Sequence, residues 1–109
     1  MKGTYLGEFE ELVLLAIAIL QQEGAYGNTI LQEMEVKTGR SINLSAVHTA
    51  LHRLAKKGFV KSRKGEPTGV RGGKRKIYYE LTAFGVSAIK QSRELRETMW
   101  SAIPKVITG

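Results

Sequence analysis

LSAVHTALHRLAKKG at residues 44–58, followed by FVKSRK at 59–64 and KRKIYYEL at 74–81, changes its period once, and that change decides the fold. Leu44, Val47, Leu51 and Leu54 recur at steps of three, four and three, the spacing of one helix face. Ser45, His48, Thr49, His52, Arg53 and Lys56 fill the opposite face, with no acid among them. Gly58 stands where a helix C-terminal cap belongs. Beyond it the period falls to two. Phe59–Lys64 reads as a strand, and Lys74–Leu81 alternates, with Ile77, Tyr79 and Leu81 on one side and Lys76, Tyr78 and Glu80 on the other. Gly65 to Gly73, with Pro67, Gly69, Gly72 and Gly73, supplies the connecting loop. An amphipathic helix therefore runs straight into a two-stranded hairpin with a basic loop.

The flanking segments are helical. Upstream, Ile30, Leu31, Met34 and Val36 give residues 27–38 an apolar side, Gly39 occupies the C-cap position and Asn43 the N-cap of the next helix. Residues 8–23 are predicted as a first helix. Phe9, Leu12, Val13, Ala16, Ile17 and Leu20 line one face, and Leu14, Leu15, Ala18 and Ile19 fill in the other. A helix apolar nearly all round is buried on more than one side, and in a chain this small the second side is expected to meet another subunit. Downstream, Thr82 caps a last helix over 83–103, striped by Phe84, Ala88, Ser92, Leu95, Met99 and Ile103, with Ile89 and Trp100 beside the stripe and Pro104 as the stop. That stripe packs either on the first helix of its own chain or across a dimer, and its length favours the dimer. The order helix, helix, helix, strand, strand, helix is a mainly α (α+β) winged helix-turn-helix with N- and C-terminal dimerisation helices.

At 109 residues the chain has room for one modest core, so a single domain over 1–109 is expected, with residues 8–81 forming the helix-turn-helix and wing and 82–103 the dimerisation helix. There is no cysteine and no aspartate, and only two histidines. Disulfides, iron–sulfur clusters and cysteine nucleophiles are excluded, and most acid–base and metal chemistry lacks material. No nucleophile stands with a base and an orienting group, and no cofactor is expected; the chain does not read as an enzyme. The apolar run Leu12–Leu20 is nine residues long against the roughly twenty of a bilayer span, and Glu8, Glu10 and Glu11 precede it where a signal peptide would be basic. A cytoplasmic location without membrane contact is expected.

The net charge is +7, but residues 53–76 hold ten bases (Arg53, Lys56, Lys57, Lys61, Arg63, Lys64, Arg71, Lys74, Arg75 and Lys76) and one acid, Glu66, a net +9 that leaves −2 for the remainder. A spread excess would be a solvated surface; a concentrated one is a footprint for a polyanion. A B-DNA major groove about 12 Å wide admits one α-helix. Ser45, Thr49 and His52, with His48 in support, suit base edges, while Arg53 and Lys56 suit phosphates. Asn43 at the start of the helix joins the candidate set. In the hairpin, Arg71, Lys74, Arg75 and Lys76 surround Gly72 and Gly73, which would let the backbone approach a phosphate closely. A nucleotide-cradling loop fits worse: the Walker pattern needs glycine where Thr68 stands and serine or threonine where Arg75 stands. His48 and His52 lie four apart, a metal-ligand spacing, but no cysteine or aspartate completes a shell. The runner-up to an operator-binding regulator is a winged-helix module that binds RNA or a protein.

These segments resemble a known family, the PadR-like transcriptional regulators. Ala25-Tyr26-Gly27 with Ile30 is similar to its Tyr-Gly opening of the second helix. Leu51-His-Arg-Leu-Ala-Lys-Lys-Gly58 is similar to the end of its recognition helix, and Arg71-Gly-Gly-Lys-Arg-Lys-Ile-Tyr-Tyr-Glu-Leu-Thr-Ala-Phe-Gly85 to its wing signature. The likeness covers roughly residues 8–103, and the order and spacing of the motifs make it specific. The family usually carries a tyrosine where this chain has His48. The resemblance implies a dimeric repressor of detoxification or efflux genes, joined through its first and last helices and released from double-stranded DNA by an effector or stress signal. The stripe and a two-fold axis would bring Phe9, Leu95, Met99 and Trp100 together as dimer or effector residues, and the resemblance adds weight, since short members take aromatic compounds at the dimer interface.

Overall fold

The computed structural model describes residues 6–65 and 76–109. In chain order they form α1 (Glu8–Ile19), α2 (Gly27–Thr38), α3 (Leu44–Lys56), β1 (Val60–Lys64), β2 (Ile77–Leu81), α4 (Ala83–Ser101) and a short α5 (Lys105–Thr108). Helices α2 and α3, joined at residues 39–43, make a helix-turn-helix, and β1–β2 is its wing. This is the winged-helix arrangement that the change of period predicts.

Most boundaries follow from local chemistry. Gly39 adopts φ 70° and donates to the Glu35 carbonyl, closing α2 at 2.9 Å. Asn43 caps α3: its Oδ1 accepts from the Ser45 N–H at 2.8 Å and the Ala46 N–H at 3.4 Å. Gly58, at φ 86°, closes α3, and the Phe59 N–H reaches back to the Leu54 carbonyl at 2.9 Å. Helix α1 departs from expectation and stops at Ile19, short of residue 23. The Leu20 carbonyl accepts from both Glu23 (3.0 Å) and Gly24 (2.8 Å), so the chain turns about that oxygen and delivers Gly24 at φ 104°.

The core lies where the three first helices meet the root of the wing. Val13, Leu14 and Ile17 of α1, Ile30 of α2, Val47, Leu51 and Leu54 of α3, and Phe59 are all fully buried. The helical spacing puts Leu14 on the outward side of α1, yet it is enclosed within its own chain; of that second face Leu15 and Ile19 remain exposed. The strands pair antiparallel with Val60 opposite Leu81 and Lys64 opposite Ile77. Tyr79 and Leu81 pack on the core, and the Tyr79 N–H donates to the Ala25 carbonyl at 2.8 Å, tying the wing to the segment before α2. Ile77 lies farther along the hairpin and is exposed, so the expected alternation holds only near the root.

Helix α4 is launched by a rigid joint. The Thr82 hydroxyl donates to the Gly58 carbonyl at 2.7 Å and accepts from the Gly85 N–H at 3.0 Å. Phe84 stacks on Phe59 with centroids 4.7 Å apart. Gly85 lies so close to the Phe59 carbonyl that an added Cβ would sit 2.1 Å from its oxygen. The predicted stripe then divides. Ala88 is 1% exposed, whereas Leu95, Met99 and Trp100 are 65%, 67% and 63% exposed. The first half packs on its own chain and the second half is bare. The molecule measures 61 × 30 × 23 Å with a radius of gyration of 16.2 Å, against about 13 Å for a compact domain of this length. No helix among the described residues is long and apolar enough to cross a membrane.

Candidate nucleic-acid interface

The six polar residues of α3 that the helical spacing assigns to one face divide three ways. Ser45, Thr49, His52 and Lys56 recur at steps of four, three and four and form a single line opposite the buried Val47, Leu51 and Leu54. His48 flanks that line on the α2 side. Its ring rests against Gly27, where an added Cβ would meet the ring carbon Cε1 at 2.7 Å. Arg53 flanks the line on the α1 side, with Nη1 3.9 Å from Oε2 of Glu10.

Along the line, the side chains differ in what already holds them. The Ser45 hydroxyl donates to Asn43 Oδ1 at 2.6 Å, and the Thr49 hydroxyl to the Ser45 carbonyl at 2.9 Å. Both hydroxyls keep acceptor lone pairs beyond these local bonds. His52 and Lys56 have no hydrogen bond or ion pair among the described residues. Asn43 Oδ1 is occupied by capping, so its amide N–H groups are what it offers outward.

The far end of the paired strands presents a second cluster against the start of α2, one that no local pattern in the sequence announces. Tyr26 meets Tyr78 edge-on with centroids 5.5 Å apart. The Lys76 ammonium lies 4.5 Å from the Tyr26 ring centroid and 3.3 Å from its hydroxyl, and the Arg63 guanidinium 4.7 Å from the Tyr78 ring centroid. Cation–π contacts of this kind contribute about 0.5–1 kcal/mol each at exposed sites. They join the hairpin to the start of α2. Tyr26 belongs to the Tyr-Gly pair and is visible in the sequence, but its edge-on partner Tyr78 lies 52 positions away. Across the strands, Glu80 lies 3.8 Å from Lys61 and 3.5 Å from Arg63 and offsets part of the wing's charge. Of the wing cations singled out in the sequence, Lys76 is described and exposed; Arg71, Lys74 and Arg75 lie outside the described residues.

The expected dimer or effector residues separate. Phe9 is half-buried against its own core, while Leu95, Met99 and Trp100 stand exposed on α4. Between α1 and α4 runs a groove of about 780 Å³ with Leu15, Ile89 and Trp100 on its walls and Glu11 and Arg96 at its side. Three acids in the first turn of α1 tie this region together. Glu11 Oε1 accepts from Arg96 of α4 at 2.7 Å. Glu8 accepts from both Arg40 Nη1 and Nη2 at 3.1 Å, and those hydrogen bonds, with the guanidinium charge, hold its carboxyl below the ordinary range. Glu10 faces Arg53 and Lys57 of the α3 end.

The chain matches a family model described as the transcriptional regulator PadR-like family over residues 15–91. It is similar to a solved transcriptional regulator from Clostridium thermocellum, at 27% identity over 95% of this chain and 96% of that one, with TM-score 0.67. It is also similar to RosR of H. salinarum, at 27% identity over 92% of this chain and 82% of that one, with TM-score 0.66. A PadR-like transcriptional regulator from Bacillus cereus shares the fold at 15% identity and TM-score 0.68, with 90% of this chain and 92% of that one covered. No curated protein matches the chain.

Proposed function

The chain belongs to the PadR-like family of transcriptional regulators, and from that premise we propose that it is a homodimeric, sequence-specific repressor of transcription without enzymatic activity, working in the cytoplasm. The observation that carries this reading is the line Ser45, Thr49, His52 and Lys56: hydrogen-bonding groups and a cation, exposed in one row on the second helix of a helix-turn-helix. A row one helix wide fits a major groove, where hydroxyl and imidazole groups discriminate base edges. Lys76 and the cations of Arg71, Lys74 and Arg75 serve the flanking phosphates, and Asn43, His48 and Arg53 border the same groove.

The bare half of α4 supports the dimer. Leu95, Met99 and Trp100 are a contiguous apolar surface that a monomer would leave in water. Two-fold pairing there, with Leu15 and Ile19 of α1 alongside, presents two α3 helices to one face of DNA. The groove beside Trp100 is the place for a flat aromatic effector, and differential affinity for two spacings of the dimer would release DNA. In this reading residues 8–81 read DNA and residues 82–103 join the protomers.

Selection of genomic fragments on the purified protein, followed by footprinting, tests this. The expected result is a protected pseudo-palindrome, with affinity falling about 10³- to 10⁵-fold between 50 and 200 mM salt for six to ten phosphate contacts. Emission of Trp100, the single tryptophan, reports effector titrations in the same sample. Absence of any protected duplex, with RNA or a protein retained instead, overturns the operator reading.

A further inference from the structure

Glu10 is the one charged side chain among the described residues that is buried, at 8% exposure, and its Oε2 has no hydrogen-bond partner. What faces that oxygen is the end of α3: Lys57 Nζ at 3.5 Å and Arg53 Nη1 at 3.9 Å. These distances are too long for charge-assisted hydrogen bonds, which run about 2.7–2.9 Å. This oxygen has left water without acquiring a close donor, a costly arrangement unless the cations compensate. Both cations keep their outer sides in solvent: Arg53 is 59% and Lys57 43% exposed. Arg53 also borders the line that would enter the groove, at the edge where a phosphate wall would pass.

We infer that Glu10 is an internal stand-in for a DNA phosphate, which holds Arg53 and Lys57 loosely in the free protein and competes with the DNA backbone for Arg53. The inference rests on the DNA-binding reading above and adds to it a residue that lowers affinity. A loose, long ion pair is what such a competitor requires, because a close bidentate pair would not exchange. The neighbouring Glu11–Arg96 contact at 2.7 Å anchors the same turn of α1 to α4. The competitor's position therefore depends on the helix that carries Trp100.

Glu10→Gln removes the competing charge and leaves no buried ion behind. Binding of a duplex of unrelated sequence, followed by anisotropy at several salt concentrations, should tighten in this variant. The affinity change between 50 and 200 mM salt should grow by about threefold, the increment for one added phosphate contact. In Glu10→Gln/Arg53→Ala the gain should disappear. Equal or weaker binding by folded Glu10→Gln overturns the inference. Should Glu10→Gln fail to fold, Glu10→Met, an apolar side chain of similar length that removes the same charge, takes its place: tighter binding of the unrelated duplex with a steeper salt slope supports the competition, and equal or weaker binding overturns it. A parent protein that binds no duplex at all refutes the DNA-binding reading itself, a different result from any of these.

Discussion

A methyl group at position 85 would collide with a main-chain oxygen that cannot move aside. The Gly85 Cβ position is 2.1 Å from the Phe59 carbonyl, and Phe59 is itself fixed by complete burial. Gly85→Ala should therefore destabilise by more than about 2 kcal/mol, in the range of mutations that strain a core, lowering Tm by roughly 8 °C or more. Gly39 is the control: it has φ 70° and open space around it, so Gly39→Ala should cost only the roughly 1–2 kcal/mol of a left-handed residue. Thermal unfolding followed by circular dichroism checks both. On α3, Thr49→Ala and His52→Ala should relax preference at particular base pairs, whereas Lys56→Ala should weaken all duplexes alike; competition assays with single-base operator variants separate the two behaviours. The caps at Asn43 and Thr82 and the glycines at 39 and 58 are legible in the sequence because each acts within a few residues. The pairing of Arg53 with Glu10 is not, since 43 positions separate them and nothing near Arg53 signals an acid from another helix. His48 against Gly27 is a contact of the same kind.

Elements are legible to the extent that their periodicity is local. Helix α2 runs over the predicted 27–38, and α3 ends within one residue of expectation. Helix α1 does not, because Leu20 is apolar and continues the pattern while its carbonyl is already turning the chain toward Gly24. The α4 stripe reads as one continuous line, yet the body of the domain reaches only as far as Ala88 and Ile89. Spacing reports which side of a helix is apolar; how far a neighbour extends along it is a tertiary matter. The wing's strands are legible, but the cluster of Tyr26 with Tyr78, Lys76 and Arg63 that joins them to the start of α2 has no periodic signature. Replacing Lys74, Arg75 and Lys76 together with alanine should weaken binding to every duplex. It should also flatten the salt dependence, by about 0.9 in the slope of log affinity against log salt for each phosphate no longer neutralised. Undiminished binding at 150 mM salt by that triple variant would remove the wing from the interface.

At the scale of the whole molecule, the bare half of α4 is the feature that the proposed dimer accounts for. Leu95→Glu or Met99→Glu puts a charge in the proposed two-fold contact and should give monomers with poor DNA affinity; light scattering at micromolar concentration reads the mass directly. A stable monomer of the unmodified chain would sink the dimer. The joint at Thr82, Phe84 and Gly85 has a mechanical consequence. Thr82 and Gly85 lock the first turn of α4 to the main chain at Gly58 and Phe59, at the foot of both α3 and the wing. A 19-residue helix is about 28 Å long. With no hinge at its root, it is a lever arm: a tilt of about 10° corresponds to roughly 5 Å at the far end. A displacement imposed at Trp100 would then be carried to α3 through the Thr82–Gly85 joint. In the proposed dimer, a small wedge between two such arms would alter the separation of the two α3 helices without deforming either one.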